Sequence, residues 1–178
     1  MILTGPEIEK QVARGSITIT PFSPSQLNPN SYNIRLSEIF VIYDEEVLDA
    51  AQENKTRKII IPEKGLLLTP DRVYLGSSVE VIGSNEYVPI VRARSSTARL
   101  GIFVHMTADL IDLGAFGQLT LQLHAVQPAR IYPNMEIGQI TFWRTIGEKI
   151  RYHGKYQGSI GPVPSKSFMD WNVENDNG

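Results

Sequence analysis

The chain has 178 residues, a net charge of −2 and no cysteine. This length predicts one domain that can bury a hydrophobic core, and the composition excludes disulfides and thiolate metal sites. Without a basic excess, a nucleic-acid polymer is not expected as a partner. No apolar run is long enough to span a membrane, and residues 1–10 lack the pattern of a signal peptide, so we expect a cytoplasmic protein.

The N-terminal residues predict one short helix. Thr4 and Glu7 have the spacing of a capping box, and Ile8 and Val12 lie four residues apart on one helical face. Gly15 is placed to end the helix, because glycine readily adopts the left-handed conformation that follows a helix.

After this helix the sequence predicts strands. Extended segments are expected in SITITPF, SYNIRLSEIFVIYD, EYVPIVRARSS, IFVHMT, QLTLQLHAV and IGQITFWR, and several shorter ones in RKIIIPEKGLLLTPDRVYLGSSVEVIG. The polar segment EEVLDAAQENKTRK predicts a surface loop, and the tail WNVENDNG is expected to be frayed or ordered only by a partner. The pattern therefore favours a mostly β fold, a β-barrel or jelly roll, with a short N-terminal helix.

The segment RARSSTARLG, residues 92–101, is the candidate anion site. An alternating strand runs into a helical turn that Ser95 or Ser96 would cap. Free backbone N–H groups at the start of the turn, with Arg99 one turn further on, would bind a phosphate. The alternative is a capped helical turn whose arginines are simply solvated.

The same segment carries a family resemblance, because RSSTARLG resembles the signature of the dCTP deaminase family, a branch of the trimeric dUTPase superfamily. Other segments resemble that family in the same order: MILTGPEI with GSITITPF, NPNSYNIRL, GIFVHMTADLIDLGAFGQLTLQL, PNMEIGQITF and YHGKYQGSIGPVPSK. The resemblance extends to about residue 166. We therefore expect a dUTPase-like domain over residues 1–166 and a C-terminal tail over residues 167–178.

The resemblance implies a distorted jelly-roll subunit, a homotrimer with active sites between subunits, a pyrimidine deoxynucleoside triphosphate as ligand, and Mg2+ on its phosphates. It assigns the phosphates to the arginine-rich segment, the sugar to Asp112, the base to residues 120–122, and closure over the triphosphate to Tyr152 and Lys155. The nucleotide-binding residues that it implies are Arg94, Ser95, Ser96, Thr97, Ala98, Arg99, Asp112, Thr120, Leu121, Gln122, Tyr152, Lys155 and Ser159. The catalytic residues that it implies are Asp112, Arg99, Ser95 and Gln122.

The sequence departs from the family at the residue on which deamination depends. The deaminases use a glutamate where this chain has Gln122, and that glutamate takes a proton from water and passes it to the leaving amine. A carboxamide has no proton that titrates near neutral pH, so Gln122 cannot act as a general base. His124, on the same strand face, is the nearest substitute in sequence, whereas His105 is expected to be a core residue or to lie behind the site.

The three histidines do not have the spacing of a zinc site, so no zinc is expected.

Two smaller departures from the family lie elsewhere in the expected site. Asn33 replaces an aspartate of the family that could orient a neighbouring arginine. Ser159 stands where the deaminases usually have a glutamine, and its shorter side chain extends less far toward the triphosphate.

These observations favour hydrolysis of dUTP, or of dCTP, to the monophosphate and pyrophosphate. In the dUTPases of the superfamily an aspartate after isoleucine activates water, and this chain has that pair at Ile111 and Asp112. The alternatives are a dCTP deaminase with a substituted general base, in which Asp112 binds only the sugar, and a nucleotide binder without catalysis.

Overall fold

The structure is a computed structural model that describes residues 1–175. The helices are α1 (Gly5–Ala13), α2 (Ser95–Arg99) and α3 (Ser167–Asn175), and a short 3-10 turn covers Pro24–Gln26. The strands are β1 (Ile17–Thr20), β2 (Tyr32–Arg35), β3 (Ile39–Tyr43), β4 (Thr56–Ile60), β5 (Leu66–Leu68), β6 (Tyr74–Ser84), β7 (Tyr87–Ala93), β8 (Ile102–Phe103), β9 (Phe116–Ala125), β10 (Ala129–Ile131) and β11 (Glu136–Arg144). The predicted mostly β fold with a short N-terminal helix is confirmed.

The strands form three antiparallel sheets. The largest has the order β4-β3-β6-β9-β8, with β1 also paired to β6, and the others are β2-β11-β7 and β10-β5. The described residues contain no closed barrel, and the predicted β-barrel is therefore not found. No helix among residues 1–175 is both long and apolar enough to cross a membrane.

One hydrophobic core joins the two larger sheets, because the same cluster takes side chains from both. Fully buried members are Ile8 on α1, Phe40 on β3, Leu121 and Leu123 on β9, and Phe142 on β11. These side chains fix the position of β9 from its inner face, which decides where its outer face points.

Three local predictions need correction. Thr4 is the N-cap of α1, but its side chain makes no capping hydrogen bond, and Glu7 instead accepts a hydrogen bond from Gln11. The segment SYNIRLSEIFVIYD divides into β2 and β3, which belong to different sheets. The tail is helical to Asn175 as part of α3, and residues 176–178 lie outside the described part.

A buried ion pair ties β2 to β6. An irregularity of β6 between Ser77 and Val81 accompanies the placement of Glu80, which is fully buried, against β2. The Glu80 carboxylate accepts hydrogen bonds from Arg35 Nε at 2.8 Å, from the Arg35 backbone N–H at 3.0 Å and from Gln26 Nε2 at 3.1 Å. This carboxylate depends on its partners, because a buried charge without them is costly.

We predict that Arg35→Leu lowers the free energy of unfolding by about 3 kcal/mol, because it leaves Glu80 buried without its cation. Urea-induced unfolding measures the change. The control is Arg57→Leu on β4, whose partner Asp44 is solvent-exposed, and that loss should stay below about 1 kcal/mol. Equal losses in the two variants would contradict this role for Glu80.

Candidate active site

A cavity of about 450 Å³ lies along the outer face of β9. The loop after β8 and the segment that follows β11 contribute to the rest of its lining, with Tyr43 of β3 and with Leu75 and Ile82 of β6. The polar side chains on its lining include Asp112, Gln118, Thr120, Gln122, Tyr152 and Ser159. The structure therefore brings together four parts of the predicted site, from residues 112, 120–122, 152 and 159.

The alternation of β9 separates core from cavity. Thr120 and Gln122 line the cavity, while the side chains of Leu121 and Leu123 are fully buried in the core. The two-residue alternation of this segment predicts Thr120 and Gln122 on one face and the leucines on the other. The structure confirms this for Leu121 and Leu123, whereas Leu119 also lines the cavity. Leu121, which was assigned to nucleotide binding, can contribute only backbone atoms, because its side chain points into the core.

The side-chain amide of Gln122 is hydrogen-bonded at both ends. Its Oε1 lies 2.9 Å from Nδ1 of His105, and its Nε2 donates to the backbone oxygen of Thr120 at 3.0 Å. Burial lowers the pKa of His105, and the hydrogen bond with Gln122 opposes that shift. His105 also lines the cavity, and its Nε2 atom is buried without a hydrogen-bond partner in the described part of the chain.

His105, and not His124, is the histidine beside Gln122. His124 is absent from the cavity lining; its Nδ1 lies 3.4 Å from the backbone oxygen of Arg72, and its ring lies 6.3 Å from that of Phe103. His124 is the nearest histidine in sequence, but His105 is the one that contacts Gln122 in space. Sequence spacing along one strand could not reveal the pairing, because His105 arrives from a separate segment.

Backbone hydrogen bonds hold the C-terminal segment, residues 152–165, against β9. The Gln118 N–H donates to the oxygen of Ser159 at 2.8 Å, and Val163 donates to Oγ1 of Thr120 at 3.1 Å. Gly117 permits the close approach, since a Cβ atom there would lie 2.8 Å from the Ser159 oxygen. Tyr152 and Ser159 reach the cavity in this way, whereas Lys155 forms an ion pair with Asp170 and is absent from the lining.

Asp112 supplies a carboxylate to the cavity wall. The residue is exposed, and its carboxylate has no hydrogen bond or ion pair with any side chain or backbone group that the structure describes. Neither lysine nor arginine is among the described residues that line the cavity. A polyanion bound here would therefore need positive charge from outside the cavity of a single subunit.

The arginine-rich segment lies outside this cavity. Arg94 is the N-cap of α2, no side chain caps the helix, and the predicted caps by Ser95 or Ser96 are not found. Thr97 is buried, and Ala98 is exposed on the helix with Ser95, Ser96 and Arg99. The structure thus separates the predicted phosphate residues from the predicted base residues within one chain.

Arg94 is held by a carboxylate that sequence reasoning missed. Its Nη1 pairs with Oε2 of Glu136 at 2.8 Å, and Asn33 Nδ2 donates to the same oxygen at 2.9 Å. Asn33 thus acts on the arginine through Glu136. An aspartate at position 33 would face this second carboxylate, so the amide suits the neighbour that this chain has.

We predict that Asn33→Asp lowers the free energy of unfolding by about 1–3 kcal/mol, because two carboxylates would meet at a largely buried site. Urea-induced unfolding measures the loss. Adding Glu136→Gln to that variant should recover most of it, since the new amide can donate to the new carboxylate. An unchanged stability in the single variant would refute the proposed coupling.

Comparisons with known proteins show the family. A family model described as dCTP deaminase-like matches residues 2–145. The chain is 48% identical over 172 residues to a protein named "dCTP deaminase, dUMP-forming" from Hathewaya histolytica, and this match covers 96% of the chain and 99% of that protein. A protein of the same name from Cytophaga hutchinsonii is 44% identical over 173 residues, with the same coverage of both chains.

A solved structure shares the fold. It is a 2'-deoxycytidine 5'-triphosphate deaminase from Agrobacterium tumefaciens, which matches with a TM-score of 0.63 and 21% identity over 79% of this chain. The match spans 47% of that protein's length. With the family model and the close relatives over nearly the full length, these matches show that the chain belongs to the dCTP deaminase-like family.

Proposed function

We propose that this chain binds a pyrimidine deoxynucleoside triphosphate in the β9 cavity and forms dUMP from dCTP. The observation that carries this proposal is the cavity itself, in which Asp112 and Gln122 face one space in a chain that matches dUMP-forming relatives over nearly its full length. The conversion has two steps. Water replaces the 4-amino group, which leaves as ammonia, and water cleaves the α–β phosphate bond and releases pyrophosphate.

Asp112 is suited to the phosphate step. Its carboxylate is unpaired within the described residues and faces the cavity, so it is available to accept a hydrogen bond from a water molecule. Asp112 would orient that water toward the α-phosphate. Such positioning is important because catalysis of phosphoryl transfer depends mainly on positioning and charge stabilisation.

The phosphates need cations that one cavity does not hold. Arg99 is exposed on α2 and has no ion pair with a carboxylate that the structure describes, and Ser95 and Ser96 are exposed beside it. Arg94, by contrast, is already paired with Glu136. We therefore propose that α2 of another copy completes each site in a homotrimer, with Arg99 as the principal forked donor to the phosphates.

Mg2+ is the proposed cofactor. Mg2+ in nucleotide enzymes is commonly held through one or two carboxylates and the substrate's phosphates, and Asp112 is the carboxylate on the cavity wall that would serve. When bound, Mg2+ would neutralise charge on the phosphates.

Gln122 supports a second candidate, which is hydrolysis of dUTP to dUMP without deamination. The amine step needs a group that takes a proton from water and delivers it to the leaving nitrogen, and a carboxamide cannot do this. His105 is the adjacent titratable side chain, but its Nδ1 is occupied by Gln122 and its Nε2 is buried. The phosphate step does not depend on Gln122.

Product analysis separates the candidates. The full chain is incubated with Mg2+ and either dCTP or dUTP, and nucleotides, ammonia and pyrophosphate are measured. Formation of dUMP and ammonia from dCTP supports the proposed function. Formation of dUMP from dUTP, with dCTP left aminated, supports the second candidate. Binding without any turnover would contradict both, and unchanged turnover in an Arg99→Ala variant would contradict the role proposed for Arg99.

We predict that Gln122→Glu raises ammonia release from dCTP by about a hundred-fold or more, because it supplies a carboxylate that can transfer protons. Hydrolysis of dUTP should change much less. The matched control is Gln118→Glu, which adds the same charge to another amide of β9 on the cavity wall. An equal gain in ammonia release in the two variants, or no gain from Gln122→Glu, would contradict the assignment of residue 122 as the position of the proton-transfer group.

A further inference from the structure

The amide of Gln122 has one permitted orientation. The backbone oxygen of Thr120 only accepts hydrogen bonds, so the group that faces it at 3.0 Å must be the NH2 end of the amide. The opposite end, Oε1, then faces Nδ1 of His105 at 2.9 Å. A flipped amide would set two oxygens against each other at Thr120, which disfavours the flip.

This orientation also fixes the tautomer of His105. Because Gln122 Oε1 accepts, Nδ1 of His105 must carry the hydrogen, and the neutral ring then has its lone pair on Nε2. That assignment agrees with an Nε2 atom that is buried without a partner among the described residues, because an unpaired lone pair is tolerated better than an unpaired N–H. His105 is thus a donor to Gln122.

One N–H of the Gln122 amide stays unpaired. The first N–H donates to the backbone oxygen of Thr120, and Oε1 accepts from His105. The side chain of Gln122 also lines the cavity. The second N–H has no partner among the groups that the structure describes. A ligand that meets this amide is therefore offered a hydrogen-bond donor, whose orientation is held from behind by two other groups.

We infer that His105 is a positioning residue that makes the Gln122 amide select a carbonyl over an amino group at position 4 of a bound pyrimidine. The inference rests on the proposed function, in which the base lies against Gln122. The oxygen of uracil accepts from the free N–H, whereas the amino group of cytosine would place two donors against each other.

This preference bears on the order of events in either candidate reaction. In dUTP hydrolysis it selects the substrate. In the formation of dUMP from dCTP it retains the deaminated nucleotide, because the carbonyl that replaces the amine is bound more tightly than the group it replaced. The phosphate bond would then be cleaved before the uracil nucleotide leaves.

Calorimetric titration of the full chain with dUMP and with dCMP tests the inference. We expect dUMP to bind about tenfold more tightly or better, which is the effect of one hydrogen bond gained and one donor clash avoided. His105→Asn, whose amide N–H can replace Nδ1–H, should keep the ratio. His105→Leu and Gln122→Met should reduce it to about threefold or less, with thermal unfolding confirming that each variant folds.

The possible failures are distinct. Equal affinities in the parent chain, or tighter binding of dCMP, would overturn the inference and leave the nucleotide site standing. An undiminished ratio in a folded His105→Leu or Gln122→Met variant would overturn it as well. Binding of neither nucleotide would count against the proposed function, and the inference would fall with it.

Discussion

The two-residue period of β9 is the constraint on which the site depends. Leu121 and Leu123 are fully buried in the core, so Thr120 and Gln122 must face outward into the cavity. A shift of one residue would exchange leucine for polar side chains on both faces, and the core forbids it. The packing of the two larger sheets therefore sets where an amide can meet a ligand.

Charge distribution explains why one subunit holds half of the proposed site. The cavity wall carries a carboxylate and no lysine or arginine among the described residues, while Arg99 stands exposed and unpaired elsewhere. A triphosphate would be repelled by the first surface alone and poorly oriented by the second. The homotrimer that we propose would join the two, which would make assembly a condition of the chemistry.

The sequence predicted what short-range patterns control. Alternation placed Thr120 and Gln122 opposite the leucines, and the strand-rich pattern predicted the mostly β fold. It did not predict that SYNIRLSEIFVIYD changes sheets, because the residues of a strand do not reveal which strand pairs with it. Nor could it find His105 beside Gln122 or Glu136 beside Arg94, since both pairs join segments distant in sequence. The predicted caps failed for another reason: a side chain that can cap a helix is free to make other contacts, as Glu7 does with Gln11.

The decisive experiment is a crystal structure of the chain with Mg2+ and the α,β-imido analogue of dUTP, because that analogue resists cleavage of the α–β bond. We expect the uracil ring in the β9 cavity, with its 4-oxygen within hydrogen-bond distance of Gln122 Nε2, and the phosphates on α2 of a neighbouring copy. A base bound away from Gln122, or phosphates that do not approach Arg99, would contradict the proposed site.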